Sequence, residues 1–422
     1  MTDDQTGAGP AAAGRAPAAP AGSASADHAK AAELSCPECG EIVYAEELFC
    51  EKCGHRLGEA PAAQPPPGGT AAQEPSAARP CAGCGGTAVD ADGYCEHCGL
   101  RQPAEHDHVE LALPAPGDGG GPAPAAGASD RGRRYSRNED ALALAAHAAG
   151  VAAVVSDGVG SSQRPEDASR TAADTGAAEL VARLDAGDDP EDATRQAALR
   201  AAEAVAALAT SPADAPSCTY VSAVTRGATV TVGWVGDSRA YWLSAGGAAE
   251  PAADGDPGGT ALDAAEVSTG DMAELGPSRR LTEDDSWAAF MVAEGSLSEA
   301  EAEAHPNAHV ITAWLGVDAG EVRPHVATFR PAGPGTLLVC SDGLWNYFPA
   351  AGDLAALLGG PGGADGAPDP AADPLGAART LVGHALDAGG RDNITVAVIP
   401  LPSPASHRHA ESRETPQSTE PR

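Results

Sequence analysis

Two apolar segments of strand length each end at an Asp-Gly pair, and this feature limits the possible folds more than any other. Residues 151–156 (VAAVVS) lead directly into Asp157, and residues 336–341 (TLLVCS) lead directly into Asp342. Apolar runs of this length that stop at a turn dipeptide predict strands. The sequence therefore predicts a sheet that carries two carboxylates at strand ends.

Two further acids stand next to predicted strands. Asp237 follows the strand predicted at 229–235, and the acid-amide pair Asp392-Asn393 directly precedes the strand predicted at 394–399. Carboxylates at the ends of neighbouring strands converge at one sheet edge, where adjacent glycines let backbone carbonyl groups approach. Because converging carboxylates repel one another unless a cation is present, and because oxygen ligands favour hard ions, the pattern predicts Mg²⁺ or Mn²⁺ rather than zinc. The alternative is a set of independent turn acids.

An arginine cluster precedes the first of these strands. Residues 131–140 read RGRRYSRNED, although the chain has only 26 basic residues against 60 acidic ones and a formal net charge of −34. The fixed fork of an arginine side chain suits a phosphate dianion. The cluster therefore indicates a phosphate contact, with a solvated basic patch as the alternative.

Eight of the ten cysteines form two units with the same spacing, C-x2-C-x10-C-x2-C. Each C-x2-C pair forms a tight knuckle that directs two thiolates at one ion, and two knuckles close a tetrahedral site. Redox pairs are the alternative, but redox motifs do not come as matched pairs of pairs. The units resemble the small zinc-ribbon modules of many bacterial proteins. We predict one structural Zn²⁺ in each unit, held by Cys36, Cys39, Cys50 and Cys53 in the first and by Cys81, Cys84, Cys95 and Cys98 in the second.

Composition argues against several classes of function. The only lysines are Lys30 and Lys52, and neither stands in a P-loop or kinase motif, which excludes these two types of phosphoryl transfer. The net charge opposes binding to nucleic acid or to an anionic membrane, and the cysteine units lack a basic stripe with interleaved aromatics. The first residues show no leader pattern, and no apolar run reaches the ~20 residues of a membrane span. We therefore expect a cytoplasmic protein.

Seven short motifs between residues 137 and 396 resemble, in their order, those of one family. They are RNEDA at 137–141, SDGVG at 156–160, GDSRAY at 236–241, LTEDDS at 281–286, ITAWLG at 311–316, SDGL at 341–344 and DNITV at 392–396. The family is that of the PPM-type, or protein phosphatase 2C, metal-dependent serine/threonine phosphatases. The resemblance implies an α+β fold, an α/β/β/α sandwich of two antiparallel sheets flanked by helices.

The resemblance also implies a set of metal ligands. Asp157 would bridge two metal ions and the carbonyl of Gly158 would bind the first of them. Asp342 and Asp392 would bind the second ion. Asp237, together with Asp342, would correspond to a third metal site of the family.

Four residues of the arginine cluster would take part in catalysis by the same resemblance. Glu139 would act through a metal-bound water, with Asp140 supporting it. The family's phosphate-binding arginine usually stands four residues before the glutamate, but Tyr135 occupies that place here. We therefore assign the phosphate contact to Arg134, with Arg137 as the second choice.

Two other positions depart from the family pattern. Asp285, in LTEDDS, stands where the family usually has a histidine, and the sequence alone does not explain its effect. Val159 stands where some eukaryotic members have a histidine proposed as general acid. Protonation of the leaving group would then fall to water.

The composition along the chain predicts the domain boundaries. Segments rich in Ala, Pro, Gly and Ser cannot bury enough surface to offset the entropy of ordering, so we expect them to be linkers or disordered. The expected order is a disordered segment at 1–33, a zinc ribbon at 34–59, a linker at 60–79, a second ribbon at 80–103, a linker at 104–129, the phosphatase domain at 130–402 and a disordered tail at 403–422.

The resemblance thus implies a bacterial phosphatase that hydrolyses phosphoserine and phosphothreonine by attack of a metal-bridging water, with two or three Mn²⁺ or Mg²⁺ ions. Its substrates would be phosphorylated proteins in the signalling pathway of a serine/threonine kinase, and the ribbons are expected to bind protein. The alternative is a pseudophosphatase, an adaptor that binds phosphoproteins and recruits partners through the ribbons. The complete set of predicted metal ligands favours the enzyme.

Overall fold

A computed structural model gives the fold of the chain, which divides into two compact units, Met1–Glu74 and Pro75–Arg422. The structure describes residues 33–35, 42–44, 81, 84–89, 94–99, 101–102, 104–115, 121–211, 214–246, 273–359 and 366–401.

The first unit contains one described strand pair. Strand β1 (Glu33–Ser35) pairs with β2 (Ile42–Tyr44) in antiparallel register, with Leu34 opposite Val43. The first cysteine unit, the predicted linker at 60–79, the tail at 403–422 and all but the last residue of the predicted disordered segment 1–33 lie outside the described residues. The cysteines concerned are Cys36, Cys39, Cys50 and Cys53.

The second unit contains most of the described secondary structure. Its strands are β3 (His108–Ala112), β4 (Ala126–Asp130), β5 (Ala141–His147), β6 (Gly150–Ser156), β7 (Ser217–Cys218), β8 (Tyr220–Arg226), β9 (Thr229–Val235), β10 (Arg239–Ser244), β11 (Ala273–Leu275), β12 (Arg279–Arg280), β13 (Leu315–Gly316), β14 (His325–Pro331), β15 (Gly335–Cys340) and β16 (Ile394–Leu401). Its helices are α1 (Pro165–Ala186), α2 (Pro190–Ala206), α3 (Trp287–Ala293), α4 (Glu299–Glu303), α5 (Asp342–Trp345), α6 (Ala351–Leu357) and α7 (Pro374–Ala388).

Two six-stranded sheets form the centre of this unit. Sheet I has the order β11-β14-β9-β8-β6-β5, and sheet II has the order β12-β10-β15-β16-β4-β3. Among the described strands of these sheets, every neighbouring pair is antiparallel except β11 and β14, which run parallel. A separate two-stranded ladder joins β7 to β13.

Three apolar layers hold the sheets and helices together. One layer lies between the sheets and includes Val155, Trp234 and Trp242. A second joins sheet I to α1 and α2, and a third joins sheet II to α6 and α7. The predicted α/β/β/α sandwich is confirmed.

Strand β6 shows why the central strands read as unbroken apolar runs. Val151, Ala153 and Val155 belong to the layer between the sheets, whereas Ala152 and Val154 belong to the layer under the helices. Alternate side chains of a strand point to opposite faces of the sheet. A strand covered on both faces therefore needs apolar residues at every position.

The beginning of α2 follows from the sequence. Asp189 is the N-cap residue, and its side chain accepts hydrogen bonds from the backbone N–H groups of Glu191 and Asp192. Pro190 occupies the first turn, where its missing N–H costs nothing and its fixed φ fits the helix. The Asp-Pro pair thus marks the start of the second helix of the layer.

Strands β3 and β4 correct the predicted linker at 104–129. Residues 108–112 and 126–129 of this segment join sheet II, so the sheet begins at His108 rather than near residue 130. The sequence of β4, AGASD, resembles linker composition, but its first four residues are buried. A Cβ atom at Gly127 would lie 2.5 Å from the carbonyl oxygen of Val396 and 2.5 Å from the Leu142 side chain. Close packing, not flexibility, selects small residues here.

No helix in the described ranges is both long and apolar enough to cross a membrane.

Candidate active site

The acids predicted at strand ends come together at one end of the two sheets. Asp157 follows β6, Asp342 follows β15 and Asp392 precedes β16. Burial, followed by the charges of Asp140, Asp342 and Asp392, raises the pKa of Asp157 well above its ordinary range. Burial and the charges of Asp392 and Asp237 raise the pKa of Asp342 in the same way. The carboxylates are therefore close enough to repel one another strongly.

Backbone hydrogen bonds fix the residues around Asp157. Its N–H donates to the Thr219 hydroxyl oxygen over 3.0 Å, and its carbonyl accepts from the Thr219 N–H over 2.8 Å. The Gly158 N–H donates to the carbonyl of Glu139 over 3.1 Å. The turn after β6 is thus joined to Glu139.

A glycine brings the other two acids together. A Cβ atom at Gly343 would overlap the carbonyl oxygen of Asn393, so only glycine lets the turn after Asp342 pass so close to the start of β16. Asp342 accepts a hydrogen bond from the side chain of Asn346 over 3.1 Å. Asp392 accepts one from the backbone N–H of Asn393 over 2.8 Å.

Asn393 connects these acids to the arginine cluster, a role that the sequence analysis missed. Its side-chain oxygen accepts from the Glu139 N–H over 2.7 Å, and its amide nitrogen donates to the carbonyls of Arg131 (2.7 Å) and Arg137 (3.1 Å). Both ends of the loop 131–138 are thereby attached to one side chain. The amide directly after Asp392 was the available signal.

The donor set fits a hard divalent cation. Within the described part of the chain, one carboxylate oxygen of Asp140 and one of Asp342 are buried without a hydrogen-bond partner. The second oxygen of Asp140 accepts from the Ser341 hydroxyl over 2.7 Å, and burial raises the pKa of Asp140. Unpartnered buried carboxylate oxygens are costly unless a cation binds them. Oxygen-only ligands select Mg²⁺ or Mn²⁺.

Asp237 belongs to the same group. Its carbonyl accepts a hydrogen bond from the indole N–H of Trp345 over 2.9 Å. The guanidinium of Arg239 stacks over that indole, 3.5 Å from the ring centroid, and pairs with Asp284. Burial, then the charges of Asp284 and Asp392, raise the pKa of Asp237.

Glu139 has the pKa of a group that exchanges protons near neutrality. Burial, with the charge of Glu166 as the next cause, raises its pKa to about 7. Arg137, the second choice for the phosphate contact, donates to Glu166 over 2.6 Å. This ion pair directs Arg137 to helix α1.

Arg134 differs from the other arginines of its loop. Arg131 lies near Asp107, and Arg133 lies 3.4 Å from Asp387. Arg134 is exposed and, among the residues that the structure describes, has no hydrogen bond or ion pair. Its charge opposes the rise in the pKa of Asp392 that burial causes. This arginine lies beside the acids and is available to a ligand.

Tyr135 is a second residue whose place the sequence did not reveal. Burial and the charges of Asp392 and Asp342 raise the pKa of its phenol above the ordinary value. A hydroxyl that stays protonated therefore lies near the carboxylates, where the family arginine would stand. The signal available in the sequence was the tyrosine at the place of the family's phosphate-binding arginine.

The structure accounts for Asp285. One of its carboxylate oxygens accepts from the Gly236 N–H over 2.9 Å, and the other lies 2.9 Å from Nε2 of His325. The His325 ring stacks on Trp234, with 5.0 Å between centroids. Asp285 thus ties the turn that carries Asp237 to strand β14.

Replacing His325 by Gln should destabilise the protein more in mild acid than in mild base. The hydrogen bond that His325 donates to Asp285 raises the pKa of His325 above 6.5, although burial opposes this. The stabilisation is therefore complete below pH ~6.5 and is lost as the pH rises through the folded-state value. Urea unfolding of both proteins at about pH 6 and about pH 8 measures the difference. An equal loss at both values would show that the charge of His325 contributes nothing.

The second cysteine unit has the geometry of a four-thiolate site. The sulfur atoms of Cys81, Cys84, Cys95 and Cys98 all lie within 4.8 Å of one another. The Cys81–Cys98 sulfur distance is 3.6 Å, and the Cys84–Cys95 distance is 3.5 Å. The first and third cysteines are buried, and the second and fourth are exposed. Four thiolates in this arrangement suit tetrahedral Zn²⁺.

Similar proteins include bacterial phosphatases. "Protein phosphatase PhpP" of Streptococcus pneumoniae is 35% identical over 122 residues, which is 29% of this chain and 45% of that protein. "Serine/threonine phosphatase stp" of Listeria innocua is 32% identical over 129 residues, or 29% of this chain and 43% of that protein. The matches thus cover less than half the length of these relatives. A solved structure of the Mycobacterium tuberculosis serine/threonine phosphatase PstP/Ppp covers 66% of this chain and 98% of its own, with 25% identity and a TM-score of 0.49.

The family comparison covers a larger part of the chain than the matches to PhpP and stp do. The sequence profile of the family described as "Protein phosphatase 2C" matches residues 127–358, more than half of the chain. The matched segment contains Glu139, Asp157, Asp237 and Asp342, and the fold adds Asp392, which precedes β16, to them. The chain therefore belongs to the protein phosphatase 2C family.

Proposed function

We propose that this protein is a metal-dependent protein serine/threonine phosphatase. The observation that carries the proposal is the group of mutually repelling carboxylates of Asp157, Asp342 and Asp392, with the unpaired Arg134 beside it. The names of the relatives, which are protein and serine/threonine phosphatases, support the same reaction.

Two or three Mn²⁺ or Mg²⁺ ions would be held by the strand-end acids. Asp157 and the carbonyl of Gly158 would hold one ion, Asp157, Asp342 and Asp392 the other, and Asp237 would contribute to the third. When bound, such ions lower the pKa of a water molecule and neutralise charge on the phosphoryl oxygens.

The residues of the chain itself orient the substrate and move the proton. Arg134 would bind two phosphoryl oxygens through its planar fork and hold the phosphorus in line for attack. Glu139, with a pKa of about 7, can accept a proton from water at neutral pH. Asp140, held by Ser341, would support Glu139.

No thiol nucleophile is required. Cys218 and Cys340 are fully buried, and burial raises the pKa of Cys218 to about 12 and that of Cys340 further still. Neither has an arginine six residues later, as a thiol phosphatase loop would need. Both act as small apolar residues in the core.

The substrates would be phosphoserine and phosphothreonine proteins, within a pathway that contains a serine/threonine kinase. The first cysteine unit would hold a structural Zn²⁺ and bind a protein partner. The cytoplasmic location predicted from the sequence stays a prediction. The adaptor alternative requires a site that binds phosphoprotein without turnover.

Hydrolysis of p-nitrophenyl phosphate and of a phosphothreonine peptide tests the proposal. We expect both reactions to require added Mn²⁺ or Mg²⁺, to stop in excess EDTA, and to recover when Mn²⁺ exceeds the chelator, because the acids cannot hold the phosphoryl group without cations. EDTA would also remove zinc from the cysteine sites. Addition of Zn²⁺ alone after EDTA is therefore the control, because it reloads the cysteine sites without supplying Mn²⁺ or Mg²⁺. Turnover that survives the chelator would contradict metal dependence. Peptide binding without turnover in Mn²⁺ would identify the adaptor.

A further inference from the structure

The second cysteine unit is joined to the residues before the catalytic loop. Arg101, which forms a β-bridge with Tyr94, makes a bidentate ion pair with Asp107, with 2.8 Å between Nη2 and Oδ1. The side chains are only 20% and 17% exposed. The amide nitrogen of Gln102 lies 3.2 Å from the sulfur of Cys81. Arg101 and Gln102 thus connect the thiolate site to Asp107.

Asp107 in turn contacts the beginning of the loop 131–138. Its carbonyl accepts from the Arg131 N–H over 2.8 Å, and its carboxylate lies 3.7 Å from Nε of Arg131. The side-chain amide of Asn138 donates to the carbonyl of His106 over 3.1 Å. His106 and Asp107, which lie between the second cysteine unit and β3 in the sequence, therefore hold both ends of the loop.

The same loop is held from the opposite side by Asn393, which bonds to the carbonyls of Arg131 and Arg137. Between these attachments lie Arg134 and Tyr135, the two loop side chains beside the acids. Arg131 also donates to the carbonyl of Tyr135, which adds a brace within the loop. A shift of Asp107 would therefore be transmitted to the position of Arg134.

A bound ion would keep Asp107 in place. The cysteine segment is short, and the metal site replaces the hydrophobic core that such a segment lacks. Thiolate ligands are oriented by donors in the surrounding shell, a role that Gln102 can fill. The ion would therefore stabilise the segment that carries the bridge between Tyr94 and Arg101.

We propose that a Zn²⁺ ion bound by Cys81, Cys84, Cys95 and Cys98 is a structural part of the catalytic unit and positions the loop 131–138, and with it Arg134, for phosphate binding. This deepens the proposed phosphatase function and rests on it for the kinetic readout. The linker predicted at 104–129 suggested that the second ribbon is a tethered docking module. In this proposal the ribbon is instead a brace of the active site.

The ion pair offers a test that leaves the cysteines intact. Arg101→Gln removes the pair with Asp107, Arg101→Lys retains its charge, and Arg379→Gln is the matched control. Arg379 also makes a bidentate pair, with Glu110 on β3, but this pair joins β3 to α7 and reaches the loop only indirectly, through His108 and Asp130. All three variants should keep two zinc ions per chain by elemental analysis.

Kinetics with p-nitrophenyl phosphate should separate positioning from chemistry. Arg134 would bind phosphate in both the ground state and the transition state. Arg101→Gln should therefore raise KM and the inhibition constant of inorganic phosphate about fivefold to tenfold, and leave kcat within about twofold of the wild-type value. Arg101→Lys should recover part of this loss, and Arg379→Gln should change neither constant. An unchanged KM in a folded Arg101→Gln protein would overturn the proposal.

A second readout does not depend on activity. Hydrogen exchange of backbone amides in a peptide that spans 131–138 should become faster in Arg101→Gln and in Cys95→Ser, and remain unchanged in Arg379→Gln. Cys95→Ser should also lose one zinc ion per chain. If the wild-type protein hydrolyses no phosphate ester, the proposed function fails, but the exchange and zinc data still test the brace. Full zinc in Cys95→Ser, or equal exchange in all variants, would refute it.

Discussion

Replacing Asp157 by Asn is expected to lower kcat for aryl phosphate hydrolysis about a thousandfold or more, because the predicted bridging ligand loses its charge and divalent cation binding supplies several kcal/mol of transition-state stabilisation. Asp174→Asn, at an exposed position of helix α1, is the matched control and should retain full activity. Stopped assays in saturating Mn²⁺, with calorimetric titration of Mn²⁺ into both variants, measure the change. Unchanged turnover in Asp157→Asn would reject the metal-bridged site.

The same substitution should have the opposite effect on stability when divalent cations are absent. Asp157 lies among Asp140, Asp342 and Asp392, and their charges raise its pKa. A raised carboxyl pKa means that the ionised group destabilises the folded state at neutral pH. The midpoint of thermal unfolding without Mn²⁺ should therefore be as high in Asp157→Asn as in the wild type, or higher. A marked decrease would indicate that Asp157 serves mainly to hold the fold.

Replacing Arg134 by Ala is expected to lower kcat/KM for p-nitrophenyl phosphate about tenfold to a hundredfold, the effect of losing a hydrogen-bonded contact to a charged group. Arg133→Ala is the control, because Arg133 pairs with Asp387 at the surface and adjoins Arg134 in the sequence. Inhibition by inorganic phosphate should weaken in parallel in Arg134→Ala alone.

Arg137→Ala distinguishes the two arginine assignments. Arg137 pairs with Glu166, and the charge of Arg137 opposes the rise in the pKa of Glu139. Its removal should therefore change the pH dependence of kcat more than the inhibition by phosphate. If Arg137→Ala instead weakens phosphate inhibition and Arg134→Ala does not, the phosphate contact belongs to Arg137.

Local patterns predicted much of the fold. The apolar run that forms β6 lies where the sequence predicts a strand, and a local signal, the Asp-Pro pair at 189–190, begins α2. These features depend on neighbouring residues, because side-chain alternation and helix capping act over a few positions. The predicted acids also lie together, although not at the edge of one sheet: Asp157 follows a strand of sheet I, whereas Asp342 and Asp392 flank strands of sheet II.

Contacts between distant segments were beyond the reach of such patterns. Small residues in β4 have the composition of a linker, and only the packing of Gly127 against β16 shows that they belong to a sheet. The same holds for Asp285, whose role depends on His325, 40 positions later. Composition describes what a segment can bury alone, not what the rest of the chain packs against it.

The sequence by itself determined the residue types of the site: the strand-end acids, the arginine loop and the repeated thiolate units, because each chemistry needs particular side chains at particular spacings. Only the tertiary structure decided how they are connected. Asn393 closes the arginine loop from one side and Asp107 holds it from the other, across separations of more than 250 and of about 25 residues. Hydrogen bonds and ion pairs act over about 3 Å in space, and the distance in space between residues so far apart is set by the packing of two sheets, not by sequence spacing.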